Sequence, residues 1–153
     1  GPQIMKGYLK MPEKTAEVIE LIDGYRWYRT GDKGHLDEDG FLTIVDRYSR
    51  FAKIGGEMIS LTTVEEEILD ACNEKDLEIA ATCLPDQRKG EKIVLLANKN
   101  LDKNQLKRLL SDAKVNPLYH PAQVLIVEEI PKLGSGKTDF GATKKIALVN
   151  EQK

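Results

Sequence analysis

From about Asp46 onward, short apolar runs of two different periods alternate along the chain, and that alternation limits the folds open to it. Phe51 to Ile54 and Met58 to Ser60 flank Gly55-Gly56-Glu57, a hairpin pattern. Thr62 and Thr63, with Glu65 and Glu66 three residues on, read as overlapping capping boxes. They open a helix whose apolar face is Val64, Ile68, Leu69 and Cys72. Leu77 to Leu84 and Lys92 to Asn98 read as strands joined by the turn Pro85 to Gly90. Asp102 with Gln105 caps a second helix carrying Leu106, Leu109, Leu110 and Ala113 on one side. After Pro117 and Pro121 come a strand from Gln123 to Glu128, a glycine-rich loop, and a closing helix from Phe140 to Val149. This order predicts an α+β fold with a small mixed sheet covered by helices. Residues 1–46 differ: they read as short strands broken by turns, with Asp37 to Gly40 a hairpin turn. This β-hairpin-rich segment is short of apolar mass. It is expected to be poorly ordered or pinned by neighbours.

Aromatic residues make up only 6% of the chain against 41% apolar overall, so its core must be mostly aliphatic. The 23 basic residues are balanced by 25 acidic ones, which argues against nucleic acid as a partner. Cys72 and Cys83 match no C-x-x-C or zinc spacing and read as buried, reduced thiols. His35 and His120 read as structural, and no metal cluster can be assembled from them. No apolar run approaches the roughly 18 residues of a membrane span, so the chain is expected to be soluble. It opens Gly-Pro-Gln-Ile-Met5, which suggests a fragment or a processed product.

Lys137, in Ile130-Pro-Lys-Leu-Gly-Ser-Gly-Lys137, looks like a phosphate-loop lysine, but the spacing excludes that. The first glycine of G-x-x-x-x-G-K-[ST] falls on Pro131, which has no N–H to offer a phosphate. What remains is a cation on a glycine-rich loop, suited to meeting an anionic centre. Two further clusters carry chemistry. In Tyr28-Arg29-Thr30-Gly31-Asp32, a carboxylate at a glycine turn can accept from vicinal hydroxyls, or simply cap the turn. In Asp46 to Ser60, Arg47 offers a planar fork for a phosphate or ribose oxygen. In the same stretch Gly55 and Gly56 allow close backbone approach or form a plain turn.

In this order the three clusters resemble the C-terminal part of the adenylate-forming superfamily of acyl-CoA synthetases, luciferases and peptide-synthetase adenylation domains. Tyr28 to Asp32 match its Y-R-T-G-D signature. Arg47, Lys53, Gly56, Ile59 and Glu65 match a second motif in register, and Pro131, Ser135, Gly136 and Lys137 match P-x-x-x-[ST]-G-K. The resemblance implies that residues 1–46 are the end of a large N-terminal AMP-binding domain and 47–153 a C-terminal lid, with the hinge near 47–49. Ser49 stands at the hinge position, where the family usually has Asp or Lys.

The resemblance also implies roles. Asp32, with Arg47 and Tyr28 beside it, would hold the nucleotide of ATP (with Mg). Lys137 would be catalytic, neutralising charge as an acyl-adenylate forms. Gly55 and Gly56 would then turn to the channel by which a thiol arrives. Within the superfamily, Arg50 to Leu61 and Leu84 to Glu91 are similar to the acyl-[acyl-carrier-protein] synthetase part of bifunctional 2-acylglycerophosphoethanolamine acyltransferases. That likeness implies a fatty acid substrate, with the phosphopantetheine thiol of acyl carrier protein as acceptor. CoA as acceptor, or a non-catalytic carrier-docking module, are the alternatives. Arg50 and Lys53, or Arg88 and Lys89, would meet the acidic carrier. The parent enzyme would be cytoplasmic or at the cytoplasmic face of the inner membrane. The chain alone would be inactive without its N-terminal partner domain.

Overall fold

The computed structural model describes residues 3–151 and divides the chain into two compact units, Gly1–Ser49 and Arg50–Lys153. The first unit opens with a short helix, α1 (Pro12–Val18), in a stretch whose sequence predicts only strands and turns. Seven residues are too few to show a helical period, although Pro12 at the first turn favours a helix start. Two antiparallel hairpins follow, β1 (Ile19–Ile22) with β2 (Tyr25–Tyr28) and β3 (Asp32–Leu36) with β4 (Leu42–Arg47). The Asp37 carboxylate accepts from the amides of Asp39 and Phe41 at 3.0 and 2.8 Å, closing the expected turn. The segment is therefore hydrogen-bonded into hairpins, yet none of its described residues is buried, and Trp27 and Phe41 stay 60% and 71% exposed. Its strands lack a core, not pairing.

The second unit is a five-stranded sheet. Strands β5 (Phe51–Ile54), β6 (Glu57–Ser60), β7 (Ile79–Asp86) and β8 (Gly90–Ala97) are ordered β6-β5-β8-β7, and β9 (Gln123–Ile126) pairs parallel with β8. On one face lie α2 (Leu61–Cys72) and α3 (Lys103–Asp112); on the other lies α4 (Phe140–Glu151). Alternate residues of β7 and β8 feed two separate cores. Ala81, Cys83, Ile93 and Leu95 pack with Val64, Ile68, Leu106 and Leu110. Ala80, Leu84, Val94 and Leu96 pack with Ile130 and Ala147. Burial on both faces is why these strands read as continuous apolar runs and not as alternating ones. The α+β architecture expected from the sequence is the one observed.

Details differ at the helix ends. The N-cap of α2 is Ser60, whose hydroxyl accepts from the Thr63 amide at 3.2 Å; Thr62 and Thr63 lie inside the first turn. The capping boxes fail because Leu61 must reach the core, which starts the helix earlier, and because Glu65 turns inward. Asp102 does cap α3, accepting from the amides of Asn104 and Gln105. Leu69 and Ala113, expected on apolar faces, are exposed. Cys83 is buried and Cys72 half-buried, both as free thiols. Among the described residues no helix is long and apolar enough to cross a membrane.

Candidate functional site

In the first unit the β3–β4 ladder sets Asp32 opposite Arg47, and the side chains meet, Nε to Oδ1, at 3.3 Å. The turn before Asp32 is held by its own amide donating to the Thr30 hydroxyl and by the Tyr48 amide donating to the Gly31 carbonyl. Tyr28 joins this group. Its phenol is raised above the ordinary tyrosine value, chiefly by a hydrogen bond with Tyr8, with Arg47 opposing and Asp32 assisting. Tyr8 is a neighbour that no local pattern announces. Tyr28, Asp32 and Arg47, singled out separately in the sequence, therefore share one surface. Asp32 keeps acceptor capacity beyond its arginine contact.

The second unit carries the other two elements. Gly55 and Gly56, with φ of +60° and +91°, form the two-residue loop between β5 and β6, a conformation that demands positive φ at both positions. A Cβ at either would meet nothing within 4 Å, so backbone conformation requires glycine here, not crowding. The Gly55 amide donates to the Lys89 carbonyl at 2.9 Å, and Ile54 pairs with Gly90. The turn is thus fixed beside the start of β8.

Lys137 stands on a closed hairpin. Lys132 bridges to Thr138, the Leu133 amide donates to the Lys137 carbonyl at 2.7 Å, and the Gly136 amide donates to the Leu133 carbonyl at 2.8 Å. The base is anchored twice. The Lys132 ammonium pairs with Glu78 at 2.7 Å, and the Asp139 carboxylate accepts from the Ala142 amide at 2.9 Å, capping α4. The Lys137 ammonium itself is exposed and makes no ion pair among the described residues.

Glu78 adjoins β7 where Ile79 pairs with Ala97, whereas the glycine turn lies by Gly90. Seven residues of β8 separate these levels, about 23 Å at a strand's rise per residue. The glycine turn and the base of the lysine hairpin therefore occupy opposite ends of the sheet.

Arg50 corrects an expectation. Its side chain is only 5% exposed, so it cannot meet an acidic carrier at the surface. It donates to the Ala81 carbonyl at 2.9 Å, pairs with Glu65 at 2.5 Å, and lies 3.7 Å from the centre of the Phe140 ring. Glu65 also accepts from the Ala81 amide at 2.6 Å. The residue following Ser49 is thereby pinned to α2, β7 and the start of α4. Lys53, Arg88 and Lys89 remain exposed. Among the described residues no cluster of His, Cys, Asp or Glu is arranged to hold a metal.

Comparison with known proteins gives this geometry a context. No protein-family model matches the chain. It is 37% identical over 147 residues to 2-succinylbenzoate–CoA ligase of Listeria monocytogenes, covering 95% of the chain and 30% of that protein. It is 36% identical over 141 residues to long-chain-fatty-acid–CoA ligase of Bacillus subtilis, covering 90% of the chain and 24% of that protein. The chain matches the C-terminal domain of the AMP-forming acyl- and aryl-CoA ligase superfamily. The fold agrees: ATP-bound MatB from Rhodopseudomonas palustris superposes with a TM-score of 0.75 at 26% identity, over 95% of this chain and 29% of that one. The chain thus spans about a third or less of the length of the relatives it matches.

Proposed function

We propose that this chain is the lid of an ATP-dependent ligase that activates a fatty or aryl carboxylic acid and passes the acyl group to CoA. In the first half-reaction a carboxylate oxygen attacks the α-phosphorus of ATP and pyrophosphate leaves. The Lys137 ammonium neutralises charge on the oxygens around that centre, an electrostatic role with no proton transfer. In the second, the thiolate sulfur of CoA attacks the acyl carbonyl and AMP leaves, with the Gly55-Gly56 turn against the thiol. Asp32, with Arg47 and Tyr28, holds the ribose hydroxyls. The observation that carries this reading is the placement of the lysine hairpin and glycine turn at opposite ends of one sheet. A unit built this way offers each end in turn, by pivoting at Ser49, the last residue before the second unit. CoA is favoured as acceptor because the relatives named above are CoA ligases.

The test is made in the intact ligase. Lys137→Ala is expected to slow acid-dependent pyrophosphate exchange about 10²- to 10³-fold, the scale of one lost oxyanion contact, while thioester formation from preformed acyl-adenylate stays near normal. Unchanged exchange would overturn the reading. Offered CoA and holo acyl carrier protein side by side, the enzyme should load CoA; loading of the carrier alone would instead favour the carrier-specific ligases. The chain by itself, given ATP and acid, should release no AMP.

A further inference from the structure

The lysine hairpin hangs from the start of α4, and the start of α4 touches the residue after Ser49. Asp139 makes the first of these joints. Its amide donates to the Pro131 carbonyl at 2.8 Å, closing the hairpin, and its carboxylate caps α4 through the Ala142 amide. The Thr143 amide and hydroxyl both donate to the Asp139 carbonyl at 2.9 Å. Thr143 and Ala147, one and two turns into α4, are fully buried, so the helix is seated behind this joint.

Phe140, the first residue of α4, makes the second joint. It is 40% exposed, yet its ring centre lies 3.7 Å from the Arg50 guanidinium. A phenylalanine serving packing alone would bury its ring; this one offers a face to a cation. Arg50 is suited to receive it. Its N–H groups are directed to Glu65 and to the Ala81 carbonyl, and Glu65 in turn accepts from the Ala81 amide. A guanidinium donates around its rim and stacks through its plane, so these hydrogen bonds leave the plane for the ring. Closing β7 at Ala81 needs the rim alone. What the plane adds is a link to α4. A path of direct contacts therefore runs from Arg50 through Phe140 and Asp139 into the hairpin, and Lys137 stands three residues before Phe140.

We infer that Arg50 and Phe140 are positioning residues for Lys137. Their contact fixes the lysine hairpin relative to the hinge, so that a pivot at Ser49 carries the ammonium to one defined place. The inference rests on the role proposed above for Lys137. Placement matters for such a group, because a displacement of about 1 Å can cost about 10²-fold in rate.

Two measurements test the assignment. The first is amide hydrogen exchange on this chain. Phe140→Leu keeps an apolar side chain and a good helix former, so α4 should persist, as far-UV circular dichroism will verify. Exchange at the Gly136 and Asp139 amides should rise roughly threefold to thirtyfold, the range of a lost cation–π contact. The Leu106 amide, bonded to the Asp102 carbonyl in α3, should be unchanged. Phe140→Tyr retains an aromatic face and should restore protection. Unchanged exchange in Phe140→Leu would overturn the inference.

The second measurement uses the intact ligase. Phe140→Leu should slow acid-dependent pyrophosphate exchange about tenfold and leave thioester formation from preformed acyl-adenylate near normal. Arg50→Lys keeps a charge beside Glu65 but loses the plane, and should act in the same way. Because both act through one contact, the double variant should be slower by less than the product of the two effects. Equal slowing of both half-reactions would mark a general folding defect and overturn the assignment, as would fully multiplicative effects. Amide exchange is read without turnover. Failure of the Lys137→Ala test would remove the ligase reading and leave the exchange result standing, whereas failure of the Phe140 variants leaves the Lys137 test untouched.

Discussion

Replacing Glu65 with alanine should strongly destabilise the second unit. The Arg50 guanidinium that faces Glu65 is 5% exposed and the carboxylate 16%. With the carboxylate gone, the guanidinium keeps the Ala81 carbonyl, a long 3.5 Å contact to the Thr62 hydroxyl and the Phe140 ring, but no counter-charge from Glu65. Breaking one side of a buried pair costs about 3–5 kcal/mol, because the surviving charge stays desolvated. The Ala81 amide loses its acceptor too, a further loss of about 1–3 kcal/mol. The two losses share a partner and do not add in full, so about 4 kcal/mol is expected. Whole domains hold only about 5–15 kcal/mol, so this loss brings the unit close to unfolding. With a urea m-value of about 2 kcal/mol/M, the midpoint should fall by about 2 M. The assay is urea unfolding followed by far-UV circular dichroism. Fluorescence is the wrong probe, because the single tryptophan, Trp27, sits exposed in the first unit. Arg50→Met together with Glu65→Leu removes both charges and should recover much of the loss. A midpoint shift below about 0.3 M for Glu65→Ala, the range of an ordinary surface change, would refute the argument.

Two further expectations concern the same unit. Gly55 has φ of +60° with open space where a Cβ would go, so Gly55→Val should cost about 1–2 kcal/mol from backbone strain alone. Gly55→Asn should cost less, since asparagine tolerates this conformation; equal urea midpoints for the two variants would contradict the turn assignment. Cys83 is held up to about 11 against its ordinary 9.0, by burial first and by the Glu91 charge second. The folded state favours the protonated thiol, so this contribution is full below about pH 9 and is lost as pH rises through about 11. Wild-type stability should therefore fall more steeply over that window than that of Cys83→Ala, and parallel curves would refute the assigned burial.

The local devices of this chain are legible in its sequence because each is carried by residues a few positions apart. Asp102 caps α3 through amides two and three residues on, and Gly55-Gly56 supplies the two positive φ angles of its turn. The β7 and β8 runs announce strands covered on both faces. The Tyr28–Asp32, Arg47–Glu65 and Pro131–Lys137 phrases carry the family likeness in order. Local reasoning misled where a competing local pattern was present, as when Thr62 and Thr63 imitated the cap that Ser60 provides.

Other decisions belong to the tertiary structure alone. Arg50 and Lys89 look alike as basic residues beside a turn or strand end. One is buried because Glu65, Ala81 and Phe140 converge on it from three elements, and the other stays exposed over a cavity. Tyr8 reaches Tyr28, and Glu78 reaches Lys132 across 54 positions, through pairings that no spacing rule encodes. The separation of the glycine turn from the lysine hairpin follows from β8 pairing with β5 at one end and with β9 at the other. Sequence specifies which groups a chain possesses and the local backbone they favour. Which of them share a surface, and which face opposite ways, depends on strand register and on burial against distant partners.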